Sequence, residues 1–293
     1  MPTMKKVLAT GDFFSYEDGR EFRYVGLSDF GLFKRMCMQD GPEALVRPIL
    51  IERRQIADRA GYTDPIVSRV FRCSDPGNTF GQTPAEVNFD LIQPFLNLCA
   101  EYNFYVDWTQ GDDDHDMMFG RDLIGLQDFH NKFTSYIKSF CFYETENEPF
   151  KNGNAPKRGI VPPASSLYLR DSGDYGDIGN PSNPWPFSTI LEFCSYHGQR
   201  NSNPGPRWPK WLYEGAESLS VMRSTLYKPS VLKEQNKYGP YWQDPNYGRI
   251  LGHQIAYGGV LFHSQKGLES NGYDEATKQA ASFYFTGVKG AML

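Results

Sequence analysis

Two groups of carboxylates in the sequence could carry out acid–base chemistry. Glu148 belongs to the run Tyr143-Glu-Thr-Glu-Asn-Glu-Pro149, directly after an apolar stretch. Glu214 follows another apolar stretch, Lys210-Trp-Leu-Tyr213, and Glu217 lies three residues further on. Two carboxyl groups held close together can divide the roles of nucleophile and of general acid and base. This chemistry requires a fold that brings residue 148 close to residue 214 or 217.

An alternation of strands and helices would position these residues. Apolar runs predict strands at residues 22–27, 66–71, 103–108, 140–143, 166–169, 190–196, 210–213 and 260–262. Helical spacing of apolar residues predicts helices at 43–60, 89–102, 123–139, 248–257 and 274–285. Eight strands that alternate with helices predict an α/β fold, a single (β/α)8 TIM barrel over residues 1–293. An Asp-Gly turn at 18–19 predicts an N-terminal hairpin, and long loops rich in Pro and Tyr are expected at the carboxyl ends of the strands.

The tripeptide Asn147-Glu148-Pro149, placed after the fourth predicted strand, resembles a motif of the clan A retaining glycoside hydrolases. This group includes cellulases, mannanases and β-galactosidases. The resemblance implies that Glu148 is the acid/base and that Asn147 contacts the sugar 2-hydroxyl. It also implies a nucleophile at the end of the seventh strand, where Glu214 is the first candidate and Glu217 the second.

Further substrate-binding residues follow from the same resemblance. Arg69, within the second predicted strand, matches an arginine that holds the nucleophile, although an ordinary surface arginine is the alternative. Tyr196 and His197 end the sixth strand, where the clan places a Tyr or His beside the nucleophile, and the sequence does not choose between them.

The eighth strand departs from the family pattern. Many members place a tryptophan there under the sugar, whereas this chain has Phe262 and His263. Trp108, at the end of the third predicted strand, is one of five tryptophans that could stack on a sugar instead. Core packing is the alternative for each of them.

The charge and the apolar runs of the sequence limit which kinds of molecule the protein can bind. The formal net charge is −5, which gives no basic surface for nucleic acid. No apolar run is long enough for a transmembrane helix or a signal peptide, so we expect no membrane association and a cytoplasmic or virion-associated protein. The five cysteines form no CxxC pair, so free thiols are expected.

No cofactor is predicted. The acidic run 111–116 could bind a metal ion, but it lacks the regular spacing of an EF-hand loop, so a solvated acidic rim is the preferred interpretation. The sequence contains none of the nucleotide-binding, serine-hydrolase or zinc-protease motifs GxxxxGK[ST], GxGxxG, GxSxG and HExxH.

The resulting hypothesis is a retaining glycosidase that acts on a β-linked oligo- or polysaccharide. Two alternatives stay open. One is a catalytically weak or inactive barrel that only binds carbohydrate, as an adhesion or virion component. The other is a lyase or transglycosylase on the same barrel. Neither the sugar, nor the endo or exo mode of cleavage, nor the oligomeric state follows from the sequence.

Overall fold

Eight parallel strands form one barrel. The computed structural model describes residues 4–37, 43–71, 89–111, 140–146, 168–171, 191–197, 208–234, 244–264 and 271–293. The barrel strands are β4 (Val25–Ser28), β5 (Ile66–Phe71), β6 (Phe104–Gly111), β7 (Phe140–Glu146), β8 (Leu169–Asp171), β9 (Cys194–His197), β10 (Ser230–Glu234) and β11 (Gly259–Phe262). Their order is β8-β7-β6-β5-β4-β11-β10-β9, and a parallel bridge from Asp171 to Phe193 closes the ring. The predicted (β/α)8 fold is confirmed.

A small antiparallel sheet covers the amino-terminal end of the barrel. Its strands are β1 (Val7–Thr10), β2 (Phe13–Tyr16) and β3 (Glu21–Phe22). The predicted turn at Asp18-Gly19 is present, and Gly19 adopts the φ of +82° that glycine tolerates best. Phe14 and Phe22 pack against Phe142 inside the barrel with ring centroids 5.4 and 5.8 Å apart. The hairpin therefore closes the barrel floor with aromatic side chains.

Helices surround the barrel on the outside. They are α1 (Leu32–Cys37), α2 (Glu43–Arg59), α3 (Ile92–Glu101), α4 (Trp208–Leu226), α5 (Pro245–His253) and α6 (Glu275–Met292), with 3₁₀ turns at Phe89–Leu91 and Gln254–Ala256. Their apolar faces and the outward-facing side chains of the strands form the larger hydrophobic core. The predicted helix 123–139 lies outside the described residues. No described helix is long and apolar enough to cross a membrane.

Helices α5 and α6 pack closely because glycines lie at their interface. A Cβ atom on Gly248 would lie 2.1 Å from the carbonyl oxygen of Ala280, and one on Gly252 would lie 2.1 Å from that of Tyr284. On α6, a Cβ atom on Gly287 would lie 2.2 Å from the carbonyl oxygen of Arg249. The backbones of the two helices can approach this closely only without side chains at these positions.

The predicted seventh strand is wrong. Residues 210–213 lie in helix α4, and the seventh barrel strand is β10, Ser230–Glu234. A short apolar run such as Lys210-Trp-Leu-Tyr213 does not distinguish a strand from one turn of a buried helix. The real strand was missed because its inward-facing residues include a lysine.

Candidate active site

A layer of charged side chains lies inside the barrel, above the apolar floor. Alternate residues of a strand face the same side, so each charged residue follows a floor residue by two positions. The pairs are Val67 and Arg69, Tyr105 and Asp107, Phe142 and Glu144, Leu169 and Asp171, and Val231 and Lys233. The five charged residues are at most 2% exposed. We call Arg69, Asp107, Glu144, Asp171 and Lys233 the charged layer.

Lys233 lies at the centre of the charged layer. Its Nζ atom is 2.7 Å from Asp107 Oδ2, 3.0 Å from Glu144 Oε2 and 2.6 Å from Asp171 Oδ2. These carboxylates come from the third, fourth and fifth barrel strands, so one ammonium group connects β10 to three strands across the barrel. Tyr24 extends the network, because its hydroxyl donates a 2.5 Å hydrogen bond to Asp107 Oδ2.

Arg69, on β5, contacts the same Glu144 carboxylate as Lys233. Its Nη2 atom donates to both carboxylate oxygens of Glu144 at 3.1 and 3.0 Å, and the Thr109 hydroxyl donates to Glu144 Oε2 at 3.0 Å. The guanidinium also lies 5.2 and 4.9 Å from the ring centroids of Phe30 and Phe71, within cation–π distance. Arg69 is thus buried and paired rather than on the outer surface, and its partner Glu144 was not predicted.

The charges of the layer do not balance when every group is ionised. Two cations face three carboxylates, and all five groups are removed from water. Burial raises the pKa of Glu144 above its ordinary value, although Arg69 and Lys233 oppose that rise. Burial alone would lower the pKa of Lys233, but the three carboxylates outweigh it and raise the pKa. Lys233 therefore stays charged, whereas burial makes Glu144 easier to protonate than an exposed glutamate.

Two histidines lie next to the charged layer, at the carboxyl ends of their strands. His197 ends β9 and is fully buried. His263 directly follows β11, is also fully buried, and its ring centroid is 5.5 Å from that of Phe30. Both predicted residues therefore lie at the barrel end where (β/α)8 enzymes place their active sites.

The seventh barrel strand ends in Glu234. Its backbone pairs with that of His197, and the register between β9 and β10 shifts between Leu232 and Glu234. Such an irregularity changes the direction in which successive side chains leave a strand. Sequence reasoning missed Glu234 because only the dipeptide Val231-Leu232 precedes the two charged residues of this strand.

Three predicted sugar-binding residues face the helices instead of the barrel interior. Trp108 is fully buried in the outer core, with its ring 4.9 Å from Phe33. Tyr196 and Phe262 belong to the same outer core, and the Phe262 ring lies 5.5 Å from Tyr284. The alternation of strand residues explains this outcome, since each is one position away from an inward-facing residue.

The predicted carboxylates have separate outcomes. Glu214 and Glu217 lie within helix α4, and Glu217 is exposed, so neither ends a strand. Both were candidates for the nucleophile because they were expected at the end of the seventh strand, and the structure removes that reason. Asn147 and Glu148 lie outside the described residues, and they directly follow Glu146, the last residue of β7. The acidic run 112–116 is likewise outside the described residues, and no group of three or more metal-ligating side chains was found in the described part.

A signal for the charged layer was present in the sequence. Five strands repeat the pattern apolar–x–charged, as in Val67-Ser-Arg69 and Tyr105-Val-Asp107. Each example alone resembles a strand with one polar edge. The repetition of the pattern on strands of one barrel is what indicates a charged interior.

Comparison with known proteins gives the fold a context. No family model and no curated protein matched the sequence. Similar solved structures include a β-glucanase from Saccharophagus degradans in complex with cellotetraose, with 13% identity, TM-score 0.59, and coverage of 99% of this chain and 95% of that one. A β-mannanase from the blue mussel Mytilus edulis gives 10% identity, TM-score 0.59, and coverage of 97% and 96%.

A family 5 glycoside hydrolase from Bacteroides vulgatus gives 10% identity and TM-score 0.58. The match covers 90% of this chain and 63% of that one, so this chain spans less than two thirds of that hydrolase. At such identities the likeness concerns the fold alone. The chain has the (β/α)8 barrel fold of the clan A glycoside hydrolases.

Proposed function

We propose that this protein is a retaining glycoside hydrolase that cleaves a β-linked glycan. The observation that carries the proposal is that β10, the seventh barrel strand, ends in Glu234 beside His197. In the sequence, residue 148 comes two positions after Glu146, the last residue of the fourth barrel strand. This arrangement supplies one glutamate after strand four and another at the end of strand seven, the two positions that the resemblance to clan A requires.

The proposed reaction has two steps. Glu234 attacks the anomeric carbon while Glu148 protonates the leaving glycosidic oxygen, which gives a covalent glycosyl-enzyme. Glu148 then removes a proton from water, the water oxygen attacks the anomeric carbon, and Glu234 is released as a carboxylate. Asn147 would contact the sugar 2-hydroxyl. Arg69, His197 and His263 would surround the reacting carboxylates.

The substrate class follows from similar structures only as a proposal. The names of these structures are those of β-glucanases and β-mannanases, so β-linked glucans and mannans are the first substrates to test. No organic cofactor or metal enters the proposed steps.

Covalent labelling tests the nucleophile directly. Wild-type protein is incubated with aryl 2-deoxy-2-fluoro-β-glucoside and β-mannoside, whose glycosyl-enzymes hydrolyse slowly, and the labelled peptide is identified by mass spectrometry. We expect the label on Glu234. Glu234→Gln should lose labelling and turnover, whereas Glu214→Gln serves as a matched control and should keep both. A label on Glu214 or Glu217 would refute the assignment.

Azide rescue distinguishes the two proposed roles. Glu148→Ala with an aryl glycoside and azide should give the β-glycosyl azide, because Glu234 still forms the intermediate. Glu234→Ala should give the α-glycosyl azide by direct displacement. Proton NMR of the product reads the anomer. If wild type cleaves no β-glycoside in a broad panel yet binds glycans in calorimetry, the protein is a carbohydrate-binding barrel.

A further inference from the structure

The charged layer contains a residue that the proposed reaction does not use. Lys233 is fully buried, lies directly before the proposed nucleophile Glu234, and contacts carboxylates of three other strands. A buried ion cluster is costly to assemble, and apolar side chains of similar volume would often serve stability as well. Its presence in the interior therefore requires a reason other than packing.

The location of Lys233 provides that reason. The register shift between β9 and β10 falls between Leu232 and Glu234, so Lys233 is the residue at the irregularity. In a regular strand, consecutive residues face opposite sides, and an irregularity of this kind relaxes that constraint. Three carboxylates fix the Lys233 side chain inside the barrel, and this contact fixes the backbone from which Glu234 begins.

The positive charge of Lys233 also affects the electrostatic potential around residue 234. The groups that face Lys233 are Asp107 on β6, Glu144 on β7 and Asp171 on β8, with Arg69 on β5 behind Glu144. The Phe193 ring, 5.5 Å from Nζ, covers the ammonium from the sixth-strand side. His197 and His263 lie at the same end of the barrel, at the ends of β9 and β11. Without Lys233, three buried carboxylates would face Arg69 alone, and the potential at residue 234 would become more negative.

We propose that Lys233 is a positioning residue for Glu234: its contacts with three carboxylates hold the end of β10 in place, and it supplies a positive charge directly before residue 234 in the chain. This inference rests on the proposed function, because it concerns the nucleophile named there. Lys233 touches no substrate in this role. It acts through Glu234 and through the carboxylates that hold it.

Lys233→Met removes the charge and keeps most of the side-chain volume. A misplaced nucleophile should lower kcat on the order of 10²-fold, while KM changes by less than about threefold because the sugar contacts remain. The acid limb of the kcat/KM profile should move up by roughly one pH unit, since a nearby cation favours the ionised carboxylate. Lys228→Met is the matched control, because Lys228 precedes the same strand and donates to the carbonyl oxygen of Leu191 outside the charged layer. It should leave the profile unchanged.

A double variant separates positioning from stability. Lys233→Met with Asp171→Asn removes one cation and one carboxylate, which restores the net charge of the layer. We expect Tm to recover relative to Lys233→Met alone, while kcat and the acid limb stay altered. Recovery of kcat together with Tm would overturn the proposal, because a stabilising role alone would then explain Lys233. Lys233→Arg keeps the positive charge, so its acid limb should match that of wild type. If Lys233→Met does not fold, the kcat and acid limb of the double variant are compared with those of Lys233→Arg instead.

The labelling experiment keeps the two proposals distinguishable. If wild type is not labelled at Glu234, the proposed function fails, and Lys233 has no nucleophile to position. If wild type is labelled there but Lys233→Met shows the wild-type acid limb and kcat, only the role of Lys233 is refuted.

Discussion

Asp29 should make the protein less stable as the pH rises from 4 to 7. It directly follows β4 and is fully buried. Its Oδ1 atom is 3.3 Å from Arg53 Nη2, and the Ser68 hydroxyl donates to Oδ2 at 3.4 Å. Arg53 is shared, since it also donates to the Asn271 carbonyl at 2.7 Å. Burial outweighs the attraction of Arg53 and raises the pKa of Asp29 from 3.8 to about 6.

The magnitude follows from linkage. A carboxyl group with a raised pKa binds its proton more tightly in the folded state than in the unfolded state, so stability falls while the group ionises. A rise from 3.8 to about 6 corresponds to about 3 kcal/mol at neutral pH, at 1.36 kcal/mol per pH unit. About 2 kcal/mol of this loss develops between pH 4 and pH 7, because the unfolded chain has already begun to ionise at pH 4.

Asp29→Asn isolates this contribution, because the amide does not ionise. Urea unfolding of wild type and variant at pH 4, 5, 6 and 7 gives two stability profiles. The difference between them should move in favour of the variant by about 2 kcal/mol across this range. Asp58→Asn is the control, since the Asp58 side chain is 51% exposed beside Arg54 on α2. A flat difference, or one that moves in favour of wild type, would show that Arg53 outweighs burial and would refute the reasoning.

Two further predictions concern packing and cysteine chemistry. Gly252→Ala should lower the free energy of unfolding by about 1–3 kcal/mol, because its Cβ would lie 2.1 Å from the Tyr284 carbonyl oxygen. Gly290→Ala, whose nearest new contact is 3.5 Å away, should raise it by about 0.5–1 kcal/mol; equal effects in urea unfolding would contradict the helix contact. Unfolded, unreduced protein should titrate five thiols, and fewer would reveal a disulfide. In the native state Cys99 should resist thiol reagents at pH 8, because it is buried and burial raises its pKa.

The sequence was most informative where apolar residues form most of a strand. The strand at Ile66–Phe71 was predicted at its observed bounds, because five of its six residues are uncharged and four of them are apolar. The helices over Glu43–Arg59 and Ile92–Glu101 were likewise clear from their 3.6-residue spacing.

The site was harder to predict because the charged residues of the site interrupt the apolar pattern of the strand that carries them. The end of β10 carries Lys233 and Glu234, so the strand lacks the apolar run by which strands are recognised. The seventh strand was therefore predicted at the apolar run 210–213, which lies in helix α4. One-residue alternation caused the other errors: Trp108 and Tyr196 each adjoin an inward-facing residue, and only the register between strands decides which of two neighbours faces inward.

The way the barrel closes at Asp171 and Phe193 determines where the barrel should open locally. Among the described residues, strand β8 has three residues and meets the sixth-strand segment through one bridge, so the backbone ladder described at this seam is the shortest. Side chains close it on both faces: Lys233 holds Asp171 on the inside, while Arg170 and Glu192 form an ion pair of 2.6 Å on the outside. Local opening of the barrel should therefore begin here and should depend on salt through the outer, partly exposed pair. The seam amides would then exchange with solvent earlier than those of the ladder between β5 and β6, where six consecutive residue pairs are in register.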